Sequence, residues 1–282
     1  MRFRAIINDA NVMKEFVNIL TSFAKMDKDV ILNVKSNKIV VFLCCEDLQV
    51  SPVCWCDIES TSYFSQYDMV GESTEHNEIY FSVKSLNIMQ TFAGFKRATD
   101  YLKLKLSQKP FICCMIETEI VGETTNHKKN MLLPIKIIPQ RQWENYLLPT
   151  NTTFDMSITC TDVAKIRRAI DGAKNLAPEI RICITSDGLL AFLIEQDEYT
   201  TSWQFSQLTA EVQTKDDEGN EISETSCSVN ARRFAQALAQ HNFQHCSVTF
   251  SIKIDRLFKI ELEVGRNVIL TCILPGIFQS DI

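Results

Sequence analysis

The chain is poor in the residues that interrupt secondary structure, with 8 glycines and 7 prolines among 282 residues. With 45% hydrophobic and 23% charged residues, the composition is typical of a soluble globular protein and excludes a collagen-like or low-complexity chain. No apolar run is long enough to cross a bilayer, and the opening MRFRAII lacks the basic-then-apolar order of a signal peptide. We therefore expect an intracellular protein with material for one large domain or two ordinary ones.

Motifs for catalysis and metal binding are missing or incomplete. The sequence has no Gly-rich phosphate loop and no Gly-x-Ser-x-Gly, and the acids of 215–224 lack calcium-loop spacing. His241, His245 and Cys246 have ligand-like spacing, but no fourth ligand or paired Cys-x-x-Cys accompanies them. We expect a non-enzymatic protein without metal or cofactor. A hydrolase that uses a cysteine is the weakest alternative, because no base–nucleophile pair is recognisable.

The cysteines, 11 in all, do not indicate a disulfide framework, because their number is odd and nothing points to secretion. Most lie in strand-like runs, such as Cys54, Cys56, Cys113, Cys114 and Cys272. In such runs cysteine behaves as a small buried hydrophobe. A reducing compartment is the expected setting.

Cations are concentrated in four segments predicted to be helical, 9–28, 84–98, 161–176 and 230–245. These hold 12 of the 29 Lys and Arg but only 5 of the 35 Asp and Glu, so their net charge is +7. Since the chain as a whole is −6, the remainder is −13. A polyanion would be repelled by most of the protein and attracted to these helices.

The cations of these segments are the candidate DNA-facing residues. They are Lys14, Lys25, Lys28, Lys84, Lys96, Arg97, Lys165, Arg167, Arg168, Lys174, Arg232 and Arg233. Lys96 is the poorest member, since its helical phase falls in the apolar arc. Lys14, Lys25, Arg168 and Arg232 are the strongest.

Two halves of the chain repeat one order, a strand, a helix and then several strands, without visible sequence identity. We predict a first domain over 1–138, a connector with two prolines over 139–151, and a second domain over 152–282. The apolar arcs of the helices would pack on antiparallel sheet and leave the basic arcs on one shared surface, an α+β fold.

Three motifs carry a family resemblance: MRFRAII at the start, HNEIYFSV before the second helix, and LPIKIIP followed by Trp143. Together they resemble the Hus-one family of subunits of the 9-1-1 DNA-damage checkpoint clamp, and the match in order covers the whole chain. The resemblance implies a sliding-clamp fold of two similar domains, each an antiparallel sheet with two helices on the concave inner face. It also implies a nuclear, non-enzymatic subunit that joins Rad-nine-like and Rad-one-like paralogues in a 1:1:1 ring around duplex DNA. An ATP-driven loader would place that ring at damage sites, where it would serve checkpoint and repair proteins.

By the same analogy two edge strands would join neighbouring subunits. They are 133–138, with Leu133, Ile135 and Ile137, and 199–205, with Tyr199, Thr201 and Trp203. The alternative is that both edges are covered within the monomer.

The connector carries an aromatic and aliphatic cluster. Its members are Trp143, Tyr146, Leu147 and Leu148. Such a cluster either borders a pocket for partner peptides or pins the connector to the body of the protein, and both interpretations stay open.

Two alternative functions remain at this point. A homotrimeric replicative clamp of the same fold would trimerise alone, whereas a checkpoint subunit needs its paralogues. A β-rich adaptor that binds only proteins would not depend on the helix cations for retention on DNA.

Overall fold

The structure is a computed structural model. It describes residues 1–43, 51–93, 99–120, 127–149, 152–196, 198–214, 222–239, 247–264 and 268–277. The chain divides into two compact units, unit 1 with Met1–Cys44 and Trp55–Leu147, and unit 2 with Cys45–Cys54 and Leu148–Ile282. Within the described ranges no helix has the length and apolar character to cross a membrane.

The first half of the chain contains ten strands, three α-helices and one 3-10 helix among its described residues. They are β1 (Arg2–Ile7), α1 (Ala10–Met26), β2 (Asp29–Val34), β3 (Lys38–Phe42), β4 (Val53–Glu59), α2 (Ser60–Tyr63), β5 (Gln66–Val70), β6 (Ile79–Lys84), α3 (Ser85–Phe92), β7 (Thr99–Ser107), β8 (Cys113–Ile120), β9 (His127–Pro134), β10 (Lys136–Ile137) and the 3-10 helix Gln140–Tyr146.

Antiparallel strands form two layers in unit 1. One sheet has the order β5-β1-β7-β8-β9, and a second set of neighbours has the order β10-β6-β2-β3-β4. Helix α1 begins at its cap Asp9, whose Oδ1 accepts hydrogen bonds from the backbone of Asn11 at 2.8 Å and of Val12 at 3.1 Å. An acceptor at this position satisfies backbone N–H groups that have no partner within the helix.

The core of unit 1 lies between α1, α3 and both strand layers. Phe16 of α1 and Ile88 of α3 are buried there with Phe3 of β1 and Phe81 of β6. An entirely apolar cavity of about 30 Å³ lies among these side chains. The helices therefore turn their apolar arcs inward, as the sequence pattern predicts.

The second half of the chain contains nine strands and two helices among its described residues. They are β11 (Met156–Cys160), α4 (Val163–Ala173), β12 (Glu179–Thr185), β13 (Leu190–Glu195), β14 (Thr200–Phe205), β15 (Thr209–Val212), β16 (Glu224–Asn230), α5 (Ala231–Ala239), β17 (Val248–Lys253), β18 (Leu257–Val264) and β19 (Val268–Pro275).

Unit 2 again has two antiparallel layers and one pair of neighbouring helices, α4 and α5. The strand orders are β19-β18-β17-β11-β15 and β14-β13-β12-β16. The turn from β12 to β13 contains Gly188 at φ +87°, a conformation that side chains with a Cβ rarely adopt. This is the hairpin turn that Ser186-Asp187-Gly188 predicts.

A cluster of four phenyl rings forms the centre of unit 2. Phe234 of α5 lies 5.6 Å from Phe192 of β13, 5.8 Å from Phe250 of β17 and 5.0 Å from Phe258 of β18, measured between ring centroids. All four residues are fully buried. One helical side chain therefore contacts both strand layers and fixes α5 on them.

Several elements differ from the sequence prediction. The short elements α2, β5 and β15 were not predicted, since each is only four or five residues long. Helix α3 ends at Phe92, earlier than the predicted 84–98, and 94–98 lie outside the described residues. The predicted single strand 133–138 is two strands, because β9 ends at Pro134 and β10 begins at Lys136 in the other layer.

The cysteines of the strands are buried as expected, with one departure in their chemistry. Cys56, Cys113, Cys114 and Cys183 are buried thiols. Burial raises the pKa of the Cys114 thiol to about 12. Cys54 and Cys272, in contrast, are joined by a disulfide within unit 2. This bond was not predicted, because 218 positions separate the two cysteines along the chain although their Cα atoms lie 4.1 Å apart.

Candidate nucleic-acid interface

Two of the predicted cations of unit 1 lie on the outward face of α1, and the others that the structure describes lie next to a helix end. Lys14 and Lys25 are exposed on α1, opposite the buried arc that includes Met13 and Phe16, and Lys28 is exposed just beyond the helix. Among the described residues none of these three lysines forms an ion pair. Lys84 occupies the position before α3 without a side-chain cap hydrogen bond, and its Nζ pairs with Asp29 Oδ2 at 2.8 Å across two neighbouring strands.

Helix α4 in unit 2 carries cations together with acids that neutralise them. Asp162 Oδ2 accepts from Lys165 Nζ at 2.8 Å. Asp171 Oδ2 lies 3.9 Å from Arg167 Nε, and Asp171 Oδ1 lies 2.6 Å from Lys174 Nζ. The Lys165 ammonium also holds the pKa of the Asp162 carboxyl below its usual value. Three of the four predicted cations of this helix are thus already paired.

Of the predicted cations of unit 2, Arg168 on α4 and Arg232 on α5 form no ion pair among the described residues, and both are exposed. Helix α5 begins after Asn230, whose Oδ1 accepts from the backbone N–H of Arg233 at 3.1 Å. The Arg233 side chain is exposed as well.

A cleft with a volume of about 250 Å³ separates the ends of α4 and α5. Its lining residues are Lys174, Asn175, Arg232, Ala235 and Gln236. Arg232 and Gln236 belong to α5, whereas Lys174 and Asn175 follow α4. Lys174 Nζ donates to Asp171 Oδ1 at 2.6 Å and Asn175 Nδ2 donates to Asp171 O at 3.1 Å. Among the described lining residues, Arg232 and Gln236 are therefore the donors left for an oxyanion such as a phosphate.

Some predicted residues lie outside the described part of the chain. Lys96 and Arg97 are among them, as are His241, His245 and Cys246 of the weak metal motif. In the described ranges no group of three or more His, Cys, Asp or Glu side chains could hold a metal ion.

The first predicted edge strand is divided between two layers. Leu133 belongs to β9, at the edge of the β5-β1-β7-β8-β9 sheet, and its side chain is buried. Ile135 lies between the strands, and its N–H donates to Ile112 O at 3.4 Å. Ile137 belongs to β10 and pairs with Phe81 of β6. Pro134 has no N–H for a further ladder bond, so the strand ends there.

The second predicted edge strand is β14, which pairs along one side with β13 and is last in its sheet. Thr201 and Trp203 lie in the strand and are half-buried. Tyr199 precedes it, where its N–H donates to Gln196 O at 3.3 Å. The backbone of both β9 and β14 is thus open on one side within its own sheet.

The aromatic residues of the connector pack against strands of unit 1. Trp143 packs on Tyr80 with 4.7 Å between ring centroids and an interplanar angle of 33°, and its Nε1–H donates to Ile138 O at 3.0 Å. Tyr146 lies 6.4 Å from Phe42. Leu147 is 73% exposed. The two aromatic side chains therefore hold the connector, whereas Leu148 is half-buried and Leu147 is the most exposed member of the predicted cluster.

A model of the Hus1-like protein family matches residues 1–278. The chain belongs to this family. The protein "Checkpoint protein Hus1-like" of Drosophila melanogaster is 24% identical over 282 residues, which cover 98% of this chain and 99% of the relative. "Checkpoint protein HUS1" of Homo sapiens is 28% identical over 209 residues, or 74% of each chain.

Solved structures with a similar fold are sliding clamps. The crystal structure of PCNA from Thermococcus kodakaraensis matches with a TM-score of 0.74 and 13% identity, over 98% of this chain and 100% of the other. Proliferating Cellular Nuclear Antigen from Entamoeba histolytica matches with a TM-score of 0.73 and 14% identity, over 98% and 99%. At such identities the likeness shows the fold, so this Hus1-like chain has the sliding-clamp fold.

Two polar residues of the cleft, Gln236 and Asn175, were not among the predicted DNA-facing residues. The helical period places Gln236 on one face of α5 with Arg232, because it lies one turn further on. Asn175 lies beyond the end of α4, and no periodic pattern marks it.

Proposed function

We propose that this Hus1-like protein is one subunit of a heterotrimeric ring-shaped clamp that encircles duplex DNA at damage sites. In this proposal it joins two paralogous subunits, Rad-nine-like and Rad-one-like, in a 1:1:1 ring in the nucleus. An ATP-dependent loader places the ring, and its outer surface serves checkpoint and repair proteins. The family and the sliding-clamp fold support this reading, in which the protein acts by topology and not by catalysis.

The observation that carries the proposal is the position of the cations on the helix pairs. Exposed Lys14, Lys25, Arg168 and Arg232 lie on helix faces opposite the cores, in a chain whose remainder is acidic. Contacts from such side chains are to phosphates and carry no sequence information, which suits a clamp that slides. The acidic remainder disfavours DNA elsewhere on the protein.

Assembly would use the open edges of β9 and β14. A strand with one unpaired side can continue into the sheet of a neighbouring subunit through backbone hydrogen bonds. We keep the domain division 1–138, 139–151 and 152–282 as part of this proposal, since the 3-10 helix Gln140–Tyr146 lies in the connector.

Light scattering tests the assembly. The purified chain should not form a trimer alone, and mixing it with both paralogues should give one species with the mass of a 1:1:1 complex. A stable homotrimer of this chain would instead favour a replicative clamp.

Retention on linear duplex DNA with open ends, where a ring is not trapped by topology, tests the inner surface. Lys25→Glu with Arg168→Glu should weaken retention of the assembled clamp by roughly tenfold or more, because two phosphate contacts become repulsive. The control Lys109→Glu with Arg256→Glu reverses two exposed cations outside the helices and should change retention little. Equal retention of the test variant and wild type would favour an adaptor that binds only proteins.

A further inference from the structure

The outward face of the β5-β1-β7-β8-β9 sheet carries a second group of cations. Along β1, Phe3 and Ala5 are buried while Arg2 and Arg4 are exposed. Lys105 of β7 is also exposed. Since side chains alternate across a strand, these cations lie on the face away from the core of unit 1.

Arg4 and Lys105 are direct neighbours on adjacent antiparallel strands. Side chains in this relation lie about 5 Å apart at Cβ, and like charges there are destabilising. Among the described residues neither forms an ion pair. Asp68 lies opposite Arg4 on the other side, but its Oδ2 accepts from Gln66 Nε2 at 2.7 Å.

Lys103, the next cation along β7, is paired with an acid, in contrast to Lys105. Lys103 Nζ donates to Glu117 Oε2 at 2.7 Å, and Tyr101 donates to Glu117 Oε1 at 2.6 Å. Two residues further on, no acid among the described residues forms an ion pair with Lys105. Its neighbour on β8 is Met115, which is half-buried.

The same row of the sheet continues as an apolar surface. Met115 of β8 pairs in register with Leu132 of β9, whose side chain is 39% exposed. From β1 to β9 the row therefore reads Arg4, Lys105, Met115, Leu132. It spans three strand spacings, about 14 Å, which is the length of four or five extended residues.

We propose that this row binds an acidic, extended segment of a partner protein. Carboxylates of the segment would pair with Arg4 and Lys105, and apolar side chains next to them would cover Met115 and Leu132. A polynucleotide fits less well for two reasons. Its evenly spaced phosphates would lie near the carboxylates of Asp68 and Glu117 on the same face, and it has no apolar side chains that would cover Met115 and Leu132. The surface belongs to unit 1 and does not depend on the proposed clamp function.

Fluorescence anisotropy tests this with a labelled hexapeptide of three glutamates followed by three leucines, added to the full chain. The peptide should bind, and binding should weaken as salt rises from about 50 to about 200 mM. Arg4→Gln with Lys105→Gln should weaken binding by about tenfold or more, because both charge-assisted contacts are lost. The control Lys109→Gln with Arg256→Gln removes the same charge elsewhere and should stay within about twofold of wild type.

Three further arms keep the test decisive. The conservative variant Arg4→Lys with Lys105→Arg should retain binding, which separates charge from folding. A peptide with glutamines in place of the glutamates should not bind; equal binding would overturn the proposal. So would failure of the acidic peptide to bind. A duplex of about 20 base pairs that loses affinity with Arg4→Gln and Lys105→Gln, while the peptide does not, would identify the row as a nucleic-acid surface instead.

Discussion

The helix pairs of the two units both present cations, but they differ in how many of these cations are paired with acids. Each unit holds six of the predicted cations, and in unit 1 Lys14, Lys25 and Lys28 are exposed without an ion pair among the described residues. In unit 2, Asp162 and Asp171 pair with three of the four cations of the α4 segment. A count of cations therefore overstates the charge that either unit can offer a polyanion, since segment 9–28 also holds Asp9, Glu15 and Asp27. Net charge over the whole helix surface, and not the number of lysines and arginines, determines the attraction.

The cores of the two units differ as well. Unit 2 is built around the Phe234 cluster, whose rings meet edge to face or stacked. In unit 1, Phe16 has one ring neighbour among the described contacts, Phe64 at 5.8 Å, and lines the small cavity. The position of α5 therefore depends on one side chain more strongly than the position of α1 does.

The largest expected effect is the loss of stability when a central ring of either core is removed. Phe234→Ala should lower the free energy of unfolding by about 3–5 kcal/mol, since it removes a buried ring and several aromatic contacts. Phe16→Ala should lie at or below the lower end of that range. Urea unfolding of the full chain measures both. A greater loss from Phe16→Ala would contradict the idea that unit 2 depends more on its central ring.

A smaller effect on DNA binding should distinguish Arg168, which forms no ion pair among the described residues, from Arg167 and Lys174, which pair with Asp171. For DNA binding by the assembled clamp, the logarithm of the association constant falls linearly with the logarithm of the salt concentration. Arg168→Gln should make this slope shallower by about 0.9, the value for one phosphate contact. Asp171→Asn should do the opposite and tighten binding, because it releases both Arg167 and Lys174. Titrations of labelled duplex over a range of salt concentrations measure the slopes. Unchanged affinity in Asp171→Asn would mean that the acids of α4 do not limit the interface.

The smallest effect concerns acid sensitivity. Hydrogen bonds from Lys103 and Tyr101 hold the pKa of Glu117 below its usual value, so the folded state favours the carboxylate. The stabilisation is present above the unfolded pKa and is lost as pH falls through the lowered folded pKa. Glu117→Gln should therefore cost up to about 1 kcal/mol at neutral pH and nothing in strong acid. Asp162→Asn in unit 2 should show the same direction with a smaller amplitude, because Asp162 is exposed. Urea midpoints at several pH values check both.

The elements with a strong local pattern were predictable. The buried arc of α1 and the buried Val163, Ile166 and Ile170 of α4 follow the helical period of the sequence. The turn at Gly188 follows from a hairpin dipeptide. The cap residues Asp9, Asp162 and Asn230 accept backbone hydrogen bonds at the helix starts, as their side-chain chemistry allows.

The charges of the candidate interface were predictable only in part. The sequence places the cations on helix faces, and spacing alone puts Asp171 four residues after Arg167. It does not reveal that Lys84 pairs with Asp29, 55 positions earlier, because that contact depends on the pairing of β2 with β6. The juxtaposition of Arg4 with Lys105 depends in the same way on the pairing of β1 with β7.

By itself the sequence determined where the longer helices and strands form, which of their faces are apolar, and the separation of basic helical segments from an acidic remainder. Only the tertiary structure decided which strands are neighbours, where the chain leaves one layer for another at Ile135, and that Cys54 meets Cys272. The physical reason is the separation along the chain over which each interaction acts. Periodicity and capping act over a few residues, whereas a strand partner is selected by the packing of both faces against residues tens to hundreds of positions away.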